Sequence, residues 1–217
     1  MTMEPASVAR SRTTSDRTQL ALLSALAEAP DLDAAAGFLL SHVLGATGAR
    51  RAYLLGFDTA EQQLVLISHT GVEDAPVELA IAERAHPWMV ATLAQTPVVA
   101  DGTSKPAART EFPEWTALPM PRPHYRGAPA LWADSYAAEV LAPIGARLVP
   151  RDDRGFASAP GGVVIVDTAL PPALIEEIGA IVMYAGPVIA RVASHLDAER
   201  GYERVSQESS RFQQMVD

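Results

Sequence analysis

Histidine is the residue type in this chain with the widest choice of chemistry, and three copies are candidates for a site. His69 follows an apolar run, His86 precedes a helical pattern, and His124 lies in a proline-rich stretch. Two or three imidazoles could ligate zinc or iron. These three are scattered, with no i, i+4 pair and no carboxylate repeat beside them, so we expect no haem and no metal.

Aromatic side chains are concentrated between Asp101 and Ala137, where neither helical nor strand periodicity is visible. The stretch also holds six of the chain's 17 prolines, and a loop of this length is usually functional or disordered. Disordered segments are poor in aromatics, so we interpret it as an ordered lid. The aromatics either anchor the loop to a sheet or offer flat surfaces and donors to a planar ligand. They include Trp115, Tyr125, Trp132 and Tyr136, with Arg126 placed to meet an anionic ligand.

The sequence contains no motif of a known catalytic type. It has no Gly-x-Ser-x-Gly elbow, no Gly-x-x-x-x-Gly-Lys phosphate loop and no His-Glu-x-x-His pair. It also has no cysteine, which excludes disulfides, thiolate metal sites, thiol catalysis and any chromophore attached through sulfur. We therefore expect a protein that is not an enzyme and has no covalent cofactor.

Charge and hydropathy limit the partners and the location. Acidic residues exceed basic ones by 26 to 17 with no Lys/Arg block, so we expect no direct contact with nucleic acid. The most apolar stretch, Ile175–Leu196, contains Glu176, Glu177, Arg191 and His195, which argue against a membrane span. The segment 1–16 has no secretory pattern and is interpreted as a disordered leader. These observations predict a cytoplasmic protein.

Helical periodicity marks several segments. Leucines recur at helical spacing over about 17–28. Asp31 is placed to cap a second helix, which should end near Gly45 and Gly48. A third helix is predicted over Ile81–Ala94, with Pro87 marking the start of its regular part. Pro171 and Pro172 open a terminal helix with a coiled-coil-like seam made of Leu174, Ile178, Ile181, Ala185, Val188 and Val192.

Short apolar runs between these helices predict strands. Tyr53–Phe57 and Leu64–Ile67 lie on either side of a polar turn, which indicates a β-hairpin. Pro97–Ala100 is predicted as a brief strand. Val140–Ile144 is predicted as an edge or bulged strand, since Pro143 lacks an amide. The unbroken apolar run Val163–Val166 predicts a strand that is buried on both faces.

Several short stretches match the pattern of one known family. They are Leu32-Asp33 before the second helix, Gly48–Leu54 entering the first strand, Gly71 after the second strand, Val140–Ile144 and Gly162–Asp167. With the order of elements, they make the chain resemble a GAF domain, a sensory or regulatory input domain of bacterial signalling proteins, over roughly residues 17–205. The resemblance implies an α+β fold with a central antiparallel sheet of five or six strands. The first and last helices would pack on one face, and a lid would close a pocket on the other.

The resemblance also narrows the ligand. Members that bind cyclic nucleotides carry an asparagine signature, and this chain has no asparagine. Members that bind bilins or reduce methionine sulfoxide depend on cysteine, which is also absent. A non-covalent small ligand, a haem or metal, or no ligand at all remain as alternatives. The pocket candidates implied by the layout are His69, His86, Trp88, Trp115, His124, Tyr125, Arg126, Trp132 and Tyr136.

The terminal seam suggests how a signal would leave the domain. Beyond Leu196 the sequence alternates acidic and basic residues, as on an exposed helix or a helix pair. We expect residues 17–196 to form the sensor and residues 197–217 to form a transmitter helix. This helix would lead to an output domain such as a kinase, a cyclase or a transcription activator. A homodimer is expected through the first and last helices, with Leu20, Leu23, Ile178, Ile181, Val188 and Val192 as contacts. The alternative is a ligand-free dimerisation module of the same fold.

Overall fold

The computed structural model describes residues 19–71, 79–102, 113–122, 134–149 and 159–191. Within these ranges the chain forms five helices and seven strands. The predicted leader and the predicted transmitter helix lie outside them. The elements in chain order are α1 (19–27), α2 (Leu32–Thr47), β1 (Ala52–Asp58), β2 (Gln63–Thr70), β3 (Ala80–Ile81), α3 (Pro87–Ala94), β4 (Val98–Asp101), β5 (Glu114–Arg122), α4 (Asp134–Leu141), β6 (Ala146–Leu148), β7 (Ala159–Val166) and α5 (Pro172–Arg191).

Helix α2 begins and ends where the sequence predicts. The Asp31 side chain accepts a hydrogen bond from the Ala34 amide at 2.7 Å, which satisfies one of the amides left unpaired at a helix start. At the other end, Gly48 has a left-handed φ of 69° and donates its amide to the Leu44 carbonyl. Glycine adopts this conformation without the steric cost of a side chain. Both predictions are therefore confirmed. The sequence could make them because each cap depends on one residue type at one position.

The strands form one antiparallel sheet in the order β3-β2-β1-β7-β5-β4-β6. The predicted hairpin is confirmed, since β1 pairs with β2 directly after its turn. Strand β7 lies between β1 and β5, and Val163 to Val166 are fully buried. The prediction of a strand buried on both faces is therefore also confirmed. The sheet is of the predicted kind, with slightly more strands than the five or six expected.

Two separate cores fill the two faces of the sheet. The aliphatic core joins the sheet to α1, α2 and α5, and the aromatic core joins it to α3 and α4. The first and last helices therefore share one face, as the resemblance implies. Side chains typical of the aliphatic core are Leu26, Leu39, Leu54, Leu118, Val164, Ile178 and Val182, and those of the aromatic core are Tyr53, Phe57, Trp88, Met89, Trp115, Leu141 and Ile165.

The interpretation of Asp101–Ala137 as one long loop is wrong, because β5 crosses it and pairs with both β4 and β7. Pro119 and Pro121 hid this strand from the sequence pattern, since proline cannot donate an amide to a sheet. The pairing with β4 ends at Ala117. Both prolines therefore lie where β5 has only β7 beside it, and the register shifts between Met120 and Pro121.

The strand predicted at Val140–Ile144 is also wrong. Helix α4 runs through Leu141, a 3-10 turn follows, and the strand is the next segment, β6. Ala137 and Leu141 are buried while the residues just after Ala137 are exposed, which is a helical period. An apolar run this short cannot distinguish a helix end from a strand.

The third predicted helix is confirmed only in its second half. Helix α3 begins at Pro87, the position where proline favours a helix start. Ile81, predicted as its first residue, lies in the short strand β3 and pairs with Leu64 of β2. Trp88, Met89 and Leu93 point into the aromatic core, as the periodicity predicts.

Helix α5 confirms the predicted terminal helix and explains its apolar composition. Among the described residues, it is the one helix long and apolar enough to cross a membrane, with 20 residues and a mean hydropathy of 1.6. Ile175, Ile178, Val182 and Ile189 are buried in the aliphatic core. Its apolar residues are therefore used to pack on the sheet.

Candidate functional site

Four rings from three elements contact each other on the aromatic face. The Trp88 ring lies 5.2 Å from the His86 ring and 5.9 Å from the Tyr53 ring, measured between centroids. The Tyr53 ring lies edge-on to His69, with centroids 6.4 Å apart. We call Tyr53, His69, His86 and Trp88 the ring cluster. It brings together residues that are far apart in sequence and combines flat surfaces with polar atoms.

Tyr53 is the member of the ring cluster that the sequence did not single out as a site residue. It was assigned to the first strand as part of an apolar run. Tyr53, Leu55 and Phe57 alternate along β1 and all enter the aromatic core. A hydroxyl in an apolar run of this kind is a usable signal, because buried tyrosine hydroxyls need a hydrogen-bond partner.

His86 caps the start of α3 with its imidazole. Its Nδ1 accepts the Trp88 backbone amide at 3.3 Å, and Pro87 occupies the first helical turn. Because Nδ1 is the acceptor, the hydrogen of the neutral ring is on Nε2. The side chain is only 8% exposed. His86 therefore caps α3 with its imidazole while its ring lies against the Trp88 ring.

The Trp88 indole is the most unusual polar group in the described part of the chain. Its Nε1–H is buried and has no hydrogen-bond partner there, although the residue is only 3% exposed. A buried donor without an acceptor costs about 1–3 kcal/mol. Most buried polar groups in proteins are paired, so an exception of this kind calls for an explanation. One explanation is an acceptor atom supplied by a ligand.

The remaining pocket candidates fall into two groups. Trp115 is buried in β5 opposite Ala100, and its ring belongs to the aromatic core. Tyr136 lies on α4 and is 47% exposed. Neither belongs to an irregular lid, because one is in a strand and the other in a helix. The candidates His124, Tyr125, Arg126 and Trp132 lie outside the described residues.

The described residues contain no group of three or more histidine, aspartate or glutamate side chains arranged to hold a metal ion. His69 and His86 both join the ring cluster, where each lies against an aromatic ring. His124 is outside the described ranges. The geometry around these two histidines is therefore that of an aromatic surface with donors.

The candidate dimer residues lie at different depths. Ile178 and Ile181 belong to the aliphatic core, with 0% and 5% of their surface exposed. This packing corrects the view of the seam as a free contact surface, because both side chains are already buried against the sheet. Leu23 and Val188 pack at the edge of the same core. Leu20 is exposed, and Val192 lies outside the described residues.

Asp167 fixes the strands that carry the ring cluster. Its Oδ1 accepts the backbone amides of Arg50 and Arg51 at 2.9 and 3.0 Å, and its Oδ2 accepts Arg51 Nε at 2.9 Å. Burial alone would raise the pKa of Asp167, but the bonds from Arg51 and Arg50 outweigh it and hold the pKa below its usual value. The carboxylate thus joins the end of β7 to the start of β1. These residues match the family pattern and have a structural role here.

No family model matches the sequence, and no curated protein matches it. Solved structures match the arrangement of helices and strands. A GAF domain of a phosphoenolpyruvate-protein phosphotransferase from Acinetobacter gives a TM-score of 0.56 at 11% identity, covering 85% of this chain and 98% of that one. The chain has the GAF fold.

Two further structures support this fold. The GAF domain of the corresponding phosphotransferase from Coxiella burnetii gives a TM-score of 0.55 at 14% identity, covering 86% of this chain and 96% of that one. Residues 122 to 287 of a methyl-accepting chemotaxis protein give 0.53 at 13% identity, covering 79% and 96%. At identities this low, the structural similarity establishes the GAF fold and nothing about the ligand. The ligand has to be argued from the side chains of this chain.

Proposed function

We propose that this chain is a non-catalytic sensory domain that binds a small planar ligand non-covalently against the ring cluster. The observation that carries the proposal is the buried Trp88 Nε1–H, which has no acceptor among the described residues. A ligand oxygen or nitrogen that accepted this hydrogen would remove the cost of leaving it unpaired. The same bond would be made only in the bound state, so it would contribute directly to affinity.

The surroundings of Trp88 indicate which ligand class fits. The ring cluster supplies flat aromatic surfaces, which favour a planar body. Trp88 Nε1 is a donor that has no acceptor among the described residues, so the matching ligand is planar and carries an acceptor atom, such as a carbonyl or a carboxylate oxygen.

A sensory function is further supported by the kind of protein in which similar folds occur. The similar structures come from phosphotransferases and a chemotaxis protein, as their names state. The sequence carries none of the nucleophile, phosphate-loop or metalloprotease motifs. We therefore propose binding without catalysis. The cytoplasmic location and an output domain after the predicted tail helix, 197–217, form part of the same proposal.

The test is a thermal-shift screen of the full chain with benzoate, indole-3-carboxylate, nucleotides, haem and divalent metal ions. A planar carboxylate should raise the Tm, because a ligand that binds only the folded state stabilises it by mass action. Trp88→Phe should weaken that ligand about tenfold, the effect of losing one hydrogen bond. Trp115→Phe is the matched control, since it removes an indole from the same core, and should have a smaller effect. No shift with any planar compound would contradict the proposal.

A second candidate is a dimerisation module that binds no ligand. Two large apolar side chains on the helices of the aliphatic face favour it, since Leu20 on α1 and Tyr184 on α5 are 66% and 61% exposed. A second copy of the chain would bury such side chains. Dimerisation and ligand binding are compatible, so the screen above decides whether the module also senses a compound.

A further inference from the structure

Strand β5 contacts both cores of the domain. Trp115 and Ala117 belong to the aromatic core, while Leu118 and Met120 belong to the aliphatic core that holds α5. Successive side chains of a strand point to opposite faces, which explains the alternation. Any shift of β5 on the aromatic face is therefore carried to the side that faces the last helix.

The end of β5 lies unusually close to α5. A Cβ placed on Gly186 of α5 would lie 2.6 Å from Met120 Cγ and 2.7 Å from the Pro121 carbonyl oxygen. Real Cβ atoms do not approach backbone atoms this closely, so only glycine fits at this position. The helix backbone thus rests directly on the backbone of the strand.

Strand β7 lies equally close to the same strand end. A Cβ placed on Gly161 of β7 would lie 2.8 Å from both the carbonyl carbon and the oxygen of Pro121. This is also where the register between β5 and β7 shifts, between Met120 and Pro121. The strand end is therefore enclosed between β7 and α5, so it cannot move without moving one of them.

The contact at Gly186 lies next to a proline inside α5. Pro187 follows Gly186 and has no amide to donate to the Met183 carbonyl, four residues earlier. Helices bend at such positions. The helix can therefore bend between the turn before Pro187 and the last described turn, in which Ile189 is also buried in the aliphatic core.

We propose that Gly186 of α5, resting on Met120 and Pro121 of β5, is the coupling contact that ties the last turn of α5 to the aromatic face. A ligand against the ring cluster would shift β5 through the aromatic core, which contains both Trp88 and Trp115 of β5, and the contact would change the bend at Pro187. The signalling role rests on the proposed function, whereas the mechanical coupling is a property of the chain without ligand. The coupling can thus be tested separately.

The test is hydrogen–deuterium exchange on the full chain without any ligand, comparing Gly186→Ala with Gly179→Ala. The two changes are alike in residue type and helix, but a Cβ at Gly179 meets nothing within 4 Å. Gly186→Ala should speed exchange about tenfold at the Met120 and Arg122 amides, because it pushes the helix from the strand. Gly179→Ala should leave these amides unchanged.

Amides of the β1–β2 hairpin provide an internal reference. Uniform acceleration that includes the hairpin would mean global loosening and would overturn the proposal, as would equal effects of the two alanine variants.

Pro187→Ala gives a second test that does not crowd the strand. Restoring an amide at this position should slow exchange in the last turn of α5 and at Met120. Slower exchange confined to α5 would also contradict the coupling. Failure of every compound in the thermal-shift screen would leave these results unaffected.

Discussion

The two cores of this domain are built from different kinds of side chain. In the described residues, the aliphatic core contains only alanine, valine, leucine, isoleucine and methionine. The aromatic core contains Tyr53, Phe57, Trp88 and Trp115, with the buried polar residue His86 beside them. Aliphatic side chains supply burial without direction, whereas aromatic rings with N–H and O–H groups supply direction as well. We infer that one face stabilises the fold and the other is suited to recognition.

The largest effect that this comparison predicts is a loss of stability from the aliphatic face. Leu39 of α2 is fully buried, so Leu39→Ala should lower the free energy of unfolding by about 2–5 kcal/mol through lost burial and a cavity. Urea denaturation measures this. The neighbour Phe38 is 45% exposed, and Phe38→Ala should cost less. Equal losses would mean that α2 is not packed as described.

The next effect concerns Asp167, which joins the end of β7 to the start of β1. Asp167→Asn keeps the shape but removes the charge that accepts bonds from Arg50 and Arg51. Hydrogen bonds to charged groups predict a loss of about 1–3 kcal/mol at pH 7.

The pH dependence of that loss provides its own control. The pKa of Asp167 is lower in the folded chain than in the unfolded chain. The stabilisation is therefore complete above the unfolded pKa, near pH 4, and disappears as the pH falls through the lowered folded value. Urea denaturation of both proteins at pH 7 and pH 3 should show the difference shrinking at the lower pH. A difference that grows on acidification would contradict the role of the carboxylate.

The sequence predicted elements that follow local rules better than elements that depend on their neighbours in the fold. Asp31, Gly48 and the run Val163–Val166 depend on local rules, namely caps, a left-handed turn and an unbroken apolar strand. Strand β5 was missed because its prolines are tolerated only by virtue of where β4 stops, a fact of tertiary structure. Local patterns could not supply that information.

The site shows the same limit. His69, His86 and Trp88 were predicted as pocket residues from residue type and the expected layout. In the structure the His86 ring lies against Trp88, and Tyr53 lies between Trp88 and His69. The unpaired state of Trp88 Nε1 could not be predicted, because it depends on which acceptors the fold leaves within reach. For the same reason the seam of α5 was a poor guide to a free surface. Helical spacing does not say whether a sheet or a second helix covers it.

A smaller effect on stability is expected on the aromatic face. Trp88→Phe removes ring volume, which destabilises, and also removes a buried donor that has no partner in the described chain, which stabilises. The two should offset each other, leaving a change below about 1 kcal/mol in urea denaturation. A loss as large as that of Leu39→Ala would indicate that the Trp88 ring is structural and that the two faces do not differ in kind.

The smallest effect on stability should come from the exposed side chains of α1 and α5. Leu20 and Tyr184 are 66% and 61% exposed, and surface substitutions usually change stability by less than about 0.5 kcal/mol. If these helices form the dimer contact, Leu20→Ser with Tyr184→Ser should nevertheless produce a monomer, because burying both side chains would drive association. Light scattering of the full chain at several concentrations measures the mass.

Val65 offers a matched control for that dimer test. It is also apolar and 38% exposed, but it lies on strand β2 and not on either helix. Val65→Ser should leave the dimer intact, since the proposed contact does not include this strand.

A chain ending at Leu196 tests how much the tail contributes to the dimer. A dimer that survives both the truncation and the paired serine changes would place the contact elsewhere. A monomer for the unaltered chain would remove the case for dimerisation, leaving the exposed leucine and tyrosine as ordinary surface residues.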